Sequence, residues 1–151
     1  MLPVVPREFK KMKNFHFNGL IEPFLCNEPG KITLVLPIKT VSESNNHEHW
    51  TQKHKRHSYQ KKKVAYYFLM LEEKPTLPCK IILTRIAPRS LDFDNLVSSQ
   101  KWIRDAICDQ LIPGLKPGRS DSDPRISISY AQQSAAPKKY GVKIEIQFHI
   151  D

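Results

Sequence analysis

The stretch LDFDNL, residues 91–96, sets Asp92 and Asp94 two positions apart and follows them with Asn95. In an extended segment, side chains two apart project from one face, so these carboxylates could share a single cation. Hard divalent ions such as Mg2+ or Mn2+ prefer oxygen ligands of this kind. Such an ion would neutralise charge developing on a phosphodiester and supply hydroxide from water near neutral pH. The structural alternative makes Asp94 a helix cap and Asp92 a surface acid, because Asp is favoured at an N-cap and near the positive helix end. One N-cap position takes one residue, so capping leaves the other carboxylate unexplained.

Two more acids, Asp121 and Asp123, fall in the breaker-rich loop IPGLKPGRSDSDP just before an apolar alternation. A solvated Asx turn is the plain reading of that loop, and a site loop carried on rigid elements is the other. Carboxylates gathered on so basic a chain repel one another unless a cation fills the gap. The metal reading therefore expects Asp92 and Asp94 to converge with Asp123, or with Asp121, in the fold. Lys101 stands about two turns after the acidic pair, close enough for its long stem to lean back toward it. An ordinary ion pair from Lys101 to Asp105, four residues on, is equally consistent with the spacing.

Between residues 47 and 63 there are six Lys or Arg and four His against the single acid Glu48. Lys53, Lys55, Arg56, Lys61, Lys62 and Lys63 are candidates for contact with nucleic-acid phosphates, against the alternative of a solvated helix face. Trp50 and Tyr59, interleaved with these charges, could stack on bases or anchor the helix to the core. A zinc site from His47, His49, His54 and His57 is a further alternative, although no Cys lies near and the spacing fits no common ligand pattern.

Periodicity predicts the elements that must position these groups. KITLVLPI, residues 31–38, is a short apolar run expected to form a strand buried on both faces. Residues 49–71 contain no Gly or Pro and repeat apolar positions at three- and four-residue steps, which predicts a long helix. CKIILTRI, residues 79–86, predicts a second buried strand, and the stripe Leu96, Ile103, Ile107 and Leu111 predicts one helix over 95–111. On that helix Asp94, Ser98, Lys101, Asp105 and Asp109 would share a polar face. Alternating segments around Ile126–Tyr130 and Val142–Phe148 predict two closing antiparallel strands. The expected fold is α/β or α+β, a small mixed sheet packed with two main helices. Residues 1–30, with four prolines and no periodicity, read as an irregular N-terminal extension to a single domain over 31–151.

With 151 residues, 40% of them hydrophobic, the chain is long enough for one real core. Lys and Arg outnumber Asp and Glu by 24 to 15, a formal charge of +9 that favours a polyanionic partner. Three widely separated Cys without a CxxC pair suit a reducing compartment. No apolar run reaches the roughly 20 residues of a membrane span, and the N-terminus lacks a signal peptide's order. A cytoplasmic protein without membrane contact is expected.

The combination of LDFDNL, KWIRDAICDQL at 101–111 and SDSDPRISISYAQ at 120–132, followed by YGVKIEI, resembles the RusA-like Holliday junction resolvases, in particular their phage and prophage-type members. The likeness covers roughly residues 31–150 and is most specific over 91–132. It implies a homodimeric, Mg2+-dependent endonuclease that cuts four-way DNA junctions. By position, Asp92, Asp94 and Asp123 resemble the family's catalytic metal-binding aspartates and Lys101 its catalytic lysine, with Asn95 and Asp105 as accompanying polar residues. Lys101 aligns only across a three-residue insertion, the loop before Asp123 is longer than the family's, and Asp121 stands close enough to compete as a ligand. A nuclease for other branched DNA, or a nucleic-acid-binding protein without catalysis, are the alternatives.

Overall fold

The computed structural model describes residues 20–43, 47–114 and 122–150. The elements run β1 (Phe24–Glu28), β2 (Lys31–Leu36), α1 (Trp50–Leu69), β3 (Cys79–Ala87), α2 (Phe93–Ser99), α3 (Lys101–Leu111), β4 (Ile126–Ser134) and β5 (Gly141–Phe148). The strands form one mixed sheet in the order β1-β2-β5-β3-β4, and with its helices this is the expected α+β fold.

Strand alternation decides which face of the sheet is covered. In β2 the side chains of Ile32, Leu34 and Leu36 are buried while Lys31, Thr33 and Val35 are only partly so. Ile146, Ile144 and Val142 of β5 stand opposite those three buried residues, and Ile81 and Leu83 of β3 continue the layer. Val64, Tyr67 and Phe68 of α1 and Ile103 and Ile107 of α3 join them in one core cluster. The strand expected to be buried on both faces is therefore half-buried, because the helices of the core lie against one of its faces. Burial is more continuous in β3, whose last five residues are all buried.

Three local expectations change in the structure. β1 lies inside the segment expected to be irregular. Five residues between two prolines are too few to show a period, and they become a strand by pairing antiparallel with β2. The helix expected over 95–111 is two helices. The Ser99 hydroxyl donates to the Leu96 carbonyl at 2.7 Å and the Gln100 N–H donates to Val97 at 3.2 Å, tightening the end of α2 before α3 begins. The two closing strands do not pair with each other. β3 lies between them, antiparallel to β5 and parallel to β4.

The β1–β2 hairpin turns through Pro29 and Gly30. Gly30 has φ +75°, and a Cβ there would lie 2.9 Å from the Phe148 carbonyl oxygen. Gly30→Ala is expected to cost at least about 1 kcal/mol through the left-handed backbone alone, read as a lower urea midpoint with an unchanged slope.

Candidate functional site

The Asp92–Asn95 segment begins just past the C-terminal end of β3, and Gln132 of β4 fixes it there. The Gln132 amide donates to the Leu91 carbonyl at 2.7 Å, and its oxygen accepts from the Leu91 N–H at 2.7 Å. Asp92 then caps α2. Its backbone is extended, and Oδ1 accepts from the Asn95 N–H at 2.9 Å and from the Asn95 side-chain amide at 2.8 Å. Asp94 is already inside the first helical turn. The expected roles are exchanged, and the two carboxylates are not strand neighbours. The chain turns helical at Phe93, one residue too early for the two-residue alternation. Both acids are nevertheless exposed.

A polar relay ties this helix start to the basic helix α1. The Ser42 hydroxyl donates to Asn95 Oδ1, and the Glu43 N–H donates to Ser98 Oγ at 3.0 Å. The Glu43 carboxylate accepts from Arg56 Nη1 at 2.5 Å and Nη2 at 3.0 Å, while Glu48 accepts from Arg56 Nε at 3.0 Å and Nη2 at 2.6 Å. Arg56, expected to touch DNA, is instead partly buried and spent between two carboxylates. Its pKa rises, chiefly through the hydrogen bond to Glu43. His57 Nε2 lies 3.2 Å from Glu43, and the His57 ring stacks on Trp102 of α3 with centroids 4.0 Å apart. Burial pushes the His57 pKa down, against the partial pull of Glu43. Glu43 and Trp102 were not visible as site residues in the sequence, and His57 was considered there only as a zinc ligand. The only signal was their polarity or aromaticity near a charge run.

Trp102 also gathers cations. The ammonium of Lys61 lies 4.9 Å from its ring centroid and that of Lys101 5.2 Å. Lys101, expected to lean toward Asp92 and Asp94, thus sits on an aromatic face at the start of α3, because the break at Gln100 interrupts the helix that would have carried it back. Lys63 lies 5.4 Å from the centroid of Tyr59, and burial lowers its pKa. Lys55 and Lys62 are exposed, whereas Lys53 is partly buried. Asp105, placed on the polar face from the sequence, is buried in α3 at 6% exposure, with Arg104 Nη2 3.5 Å from its carboxylate.

Asp123 lies elsewhere. Its carboxylate accepts from the Arg125 N–H at 2.9 Å, from Nε at 3.0 Å and from Nη2 at 2.9 Å, and the Arg125 side chain holds its pKa down at about 2. The Arg125 carbonyl accepts from the Cys79 N–H at 3.0 Å, which puts Asp123 at the N-terminal end of β3. Asp92 follows the C-terminal end of the same strand. Six residue steps along β4 lead from Ile126 to Gln132, about 20 Å at roughly 3.3 Å per step. A parallel β3–β4 pair imposes this separation, since the crossover must carry the chain back to the starting edge. Within one chain the three expected metal ligands do not converge. Asp121 lies outside the described residues. Among the described residues no three His, Cys, Asp or Glu side chains form a group able to hold a metal ion, which also applies to the histidine alternative. His49 instead caps α1, its ring nitrogen accepting from the Thr51 N–H at 3.3 Å.

No protein-family model matches the chain, and no curated protein matches it. Among the described residues no helix is long and apolar enough to cross a membrane.

The relay makes a pH prediction. Burial raises the Glu43 pKa, but the hydrogen bonds from Arg56 and His57 outweigh it and leave the carboxylate below its ordinary value. Its stabilising contribution is therefore complete above the unfolded pKa and lost as pH falls through the lowered folded one. His57, also lowered, loses stability in the same direction at higher pH. The melting temperature should fall from about pH 6 to pH 3, and Glu43→Gln should flatten the lower half of that slope.

Proposed function

We propose that the chain is a Mg2+- or Mn2+-dependent endonuclease for branched DNA, four-way junctions included, working as a homodimer. The observation that carries this reading is the relay from Asn95 and Ser98 through Ser42 and Glu43 to Arg56 and His57, which fastens an exposed acidic helix start to a lysine-bearing helix. The cations that would bind phosphate and the carboxylates that would bind metal are linked through this relay.

Asp92 and Asp94 would hold the ion. Two carboxylates completed by substrate phosphate and water suit Mg2+, which seldom occupies an all-protein cage. When bound, the ion would stabilise phosphodiester charge and activate water. Lys61 and Lys101, gathered on Trp102, would hold the DNA backbone together with Lys55 and Lys62, giving salt-sensitive binding with little base selectivity. Asn95 keeps Asp92 oriented through its two hydrogen bonds. Asp105 would act only through the packing of α3.

A second copy offers a place for Asp123. Among the described residues β4 pairs on one side alone. In an antiparallel two-fold pair centred near Ile128, Asp123 of one protomer would face Gln133 of the other, close to the end where Leu91 is fastened. Two equivalent sites also suit a junction cut on two strands. That no three-ligand group forms among the described residues favours a second reading, a DNA-binding protein without catalysis.

Incubation with a synthetic four-way junction separates the two. Cleavage is expected with Mg2+ and absent with EDTA or in Asp94→Asn; cleavage by that variant equal to wild type would overturn the assignment. The composite site has its own test. An Asp92→Asn/Asp94→Asn chain mixed and refolded with an Asp123→Asn chain should recover about a quarter of wild-type sites, because each mixed dimer rebuilds one. Full activity of the Asp123→Asn chain by itself would place Asp123 outside the site, and no recovery on mixing would overturn the two-chain arrangement.

A further inference from the structure

Beside the acidic helix start lies a cavity of about 410 Å3. Lys39, Arg85, Arg89 and Lys138 line it, and none of its lining residues is acidic. These cations come from four separate stretches: after β2, within β3, after β3, and between β4 and β5. None belongs to the basic run on α1, so no charge count along the sequence brings them together.

Arg85 is the informative one. It sits near the end of β3, in register with Gln132 of β4 and Val142 of β5, on the face that upstream carries Ile81 and Leu83. It is only 8% exposed. Its Nη1 donates to the Arg89 carbonyl at 2.6 Å, whereas its buried Nε has no hydrogen-bond partner among the described residues. A guanidinium stays charged even when buried, so its desolvation has to be offset by an anion or by acceptors. Around it are Lys39, whose ammonium also lies 4.5 Å from the Tyr140 ring centroid, and two exposed cations, Arg89 and Lys138. The volume falls within the range of small-ligand clefts. A planar guanidinium at the base with mobile ammonium groups at the rim suits the tetrahedral oxygens of phosphate.

We infer that this cavity is a phosphate site, and that it seats a backbone phosphate of the DNA strand running past Asp92 and Asp94. Its wall includes Leu91, which precedes Asp92, and Ser42, which bonds Asn95. A phosphate seated there would fix the strand's register relative to the carboxylates, in the way phosphate contacts position nucleic acid without reading sequence. The inference rests on the DNA-binding part of the proposed function, not on cleavage.

The test measures fluorescence anisotropy of a labelled four-way junction in EDTA over a salt series. The double variant Arg89→Gln/Lys138→Gln changes only exposed side chains. The control Lys31→Gln/Lys80→Gln alters charge equally at the other end of the sheet. The cavity variant is expected to bind about tenfold more weakly and to reduce the log–log salt slope by about 1 or more, with the control near wild type. A folded cavity variant that matches the control would overturn the inference while leaving the nuclease reading intact. Failure of the wild type to bind the junction would overturn both. A melting temperature raised by inorganic phosphate or 5′-dAMP in wild type but not in the cavity variant, with junction binding equal in the two, would mark a free-phosphate site and overturn the backbone assignment.

Discussion

The parallel pairing of β3 with β4 governs where every candidate group stands. Residues that follow β3 and residues that precede β4 must lie at opposite ends of the sheet, and a helical crossover has to join them. Asp92 and Asp94 take one end with Gln132, while Asp123 takes the other with Cys79 and Arg125. Had β4 paired antiparallel to β3, the same sequence would have brought the acids to one edge. A functional reading that needs all three acids together must therefore look beyond a single chain.

At the acidic end, partly buried charge is arranged in a chain of opposite signs. Arg56 satisfies Glu43 and Glu48, Glu43 meets His57, and His57 stacks on Trp102 against which Lys61 and Lys101 lie. Pairs of this kind add little stability when exposed. Partly buried, they cost desolvation and in return define one geometry, since removing any member leaves a charge without its partner. The basic run of α1 thus divides by burial. Arg56 is structural, Lys61 joins an aromatic platform, and Lys55 and Lys62 remain available to a polyanion.

Much of the architecture was legible beforehand. The helix expected over 49–71 is Trp50–Leu69, the strand expected over 79–86 is Cys79–Ala87, and both closing strands lie where alternation placed them. These elements carry a period long enough to be read. β1 was missed because five residues show none, and the break at Gln100 was missed because it depends on a serine hydroxyl bonding to its own helix. The acidic pair was found as a pair, but with cap and helix residue exchanged, since one residue in the helix start reverses the assignment. The cation-lined cavity had no linear signal, its four charges being spread over about a hundred residues.

The sequence by itself determined the longer periodic elements, the excess of positive charge and the side chains available for chemistry, because these follow from local periodicity and residue type. Only the tertiary structure decided strand order, and through it which charges meet. Pairing partners are chosen by the shared burial of sheet and helices, a long-range balance that no window of the sequence contains. That choice kept Asp123 from Asp92 and closed Lys39, Arg85, Arg89 and Lys138 around one cavity.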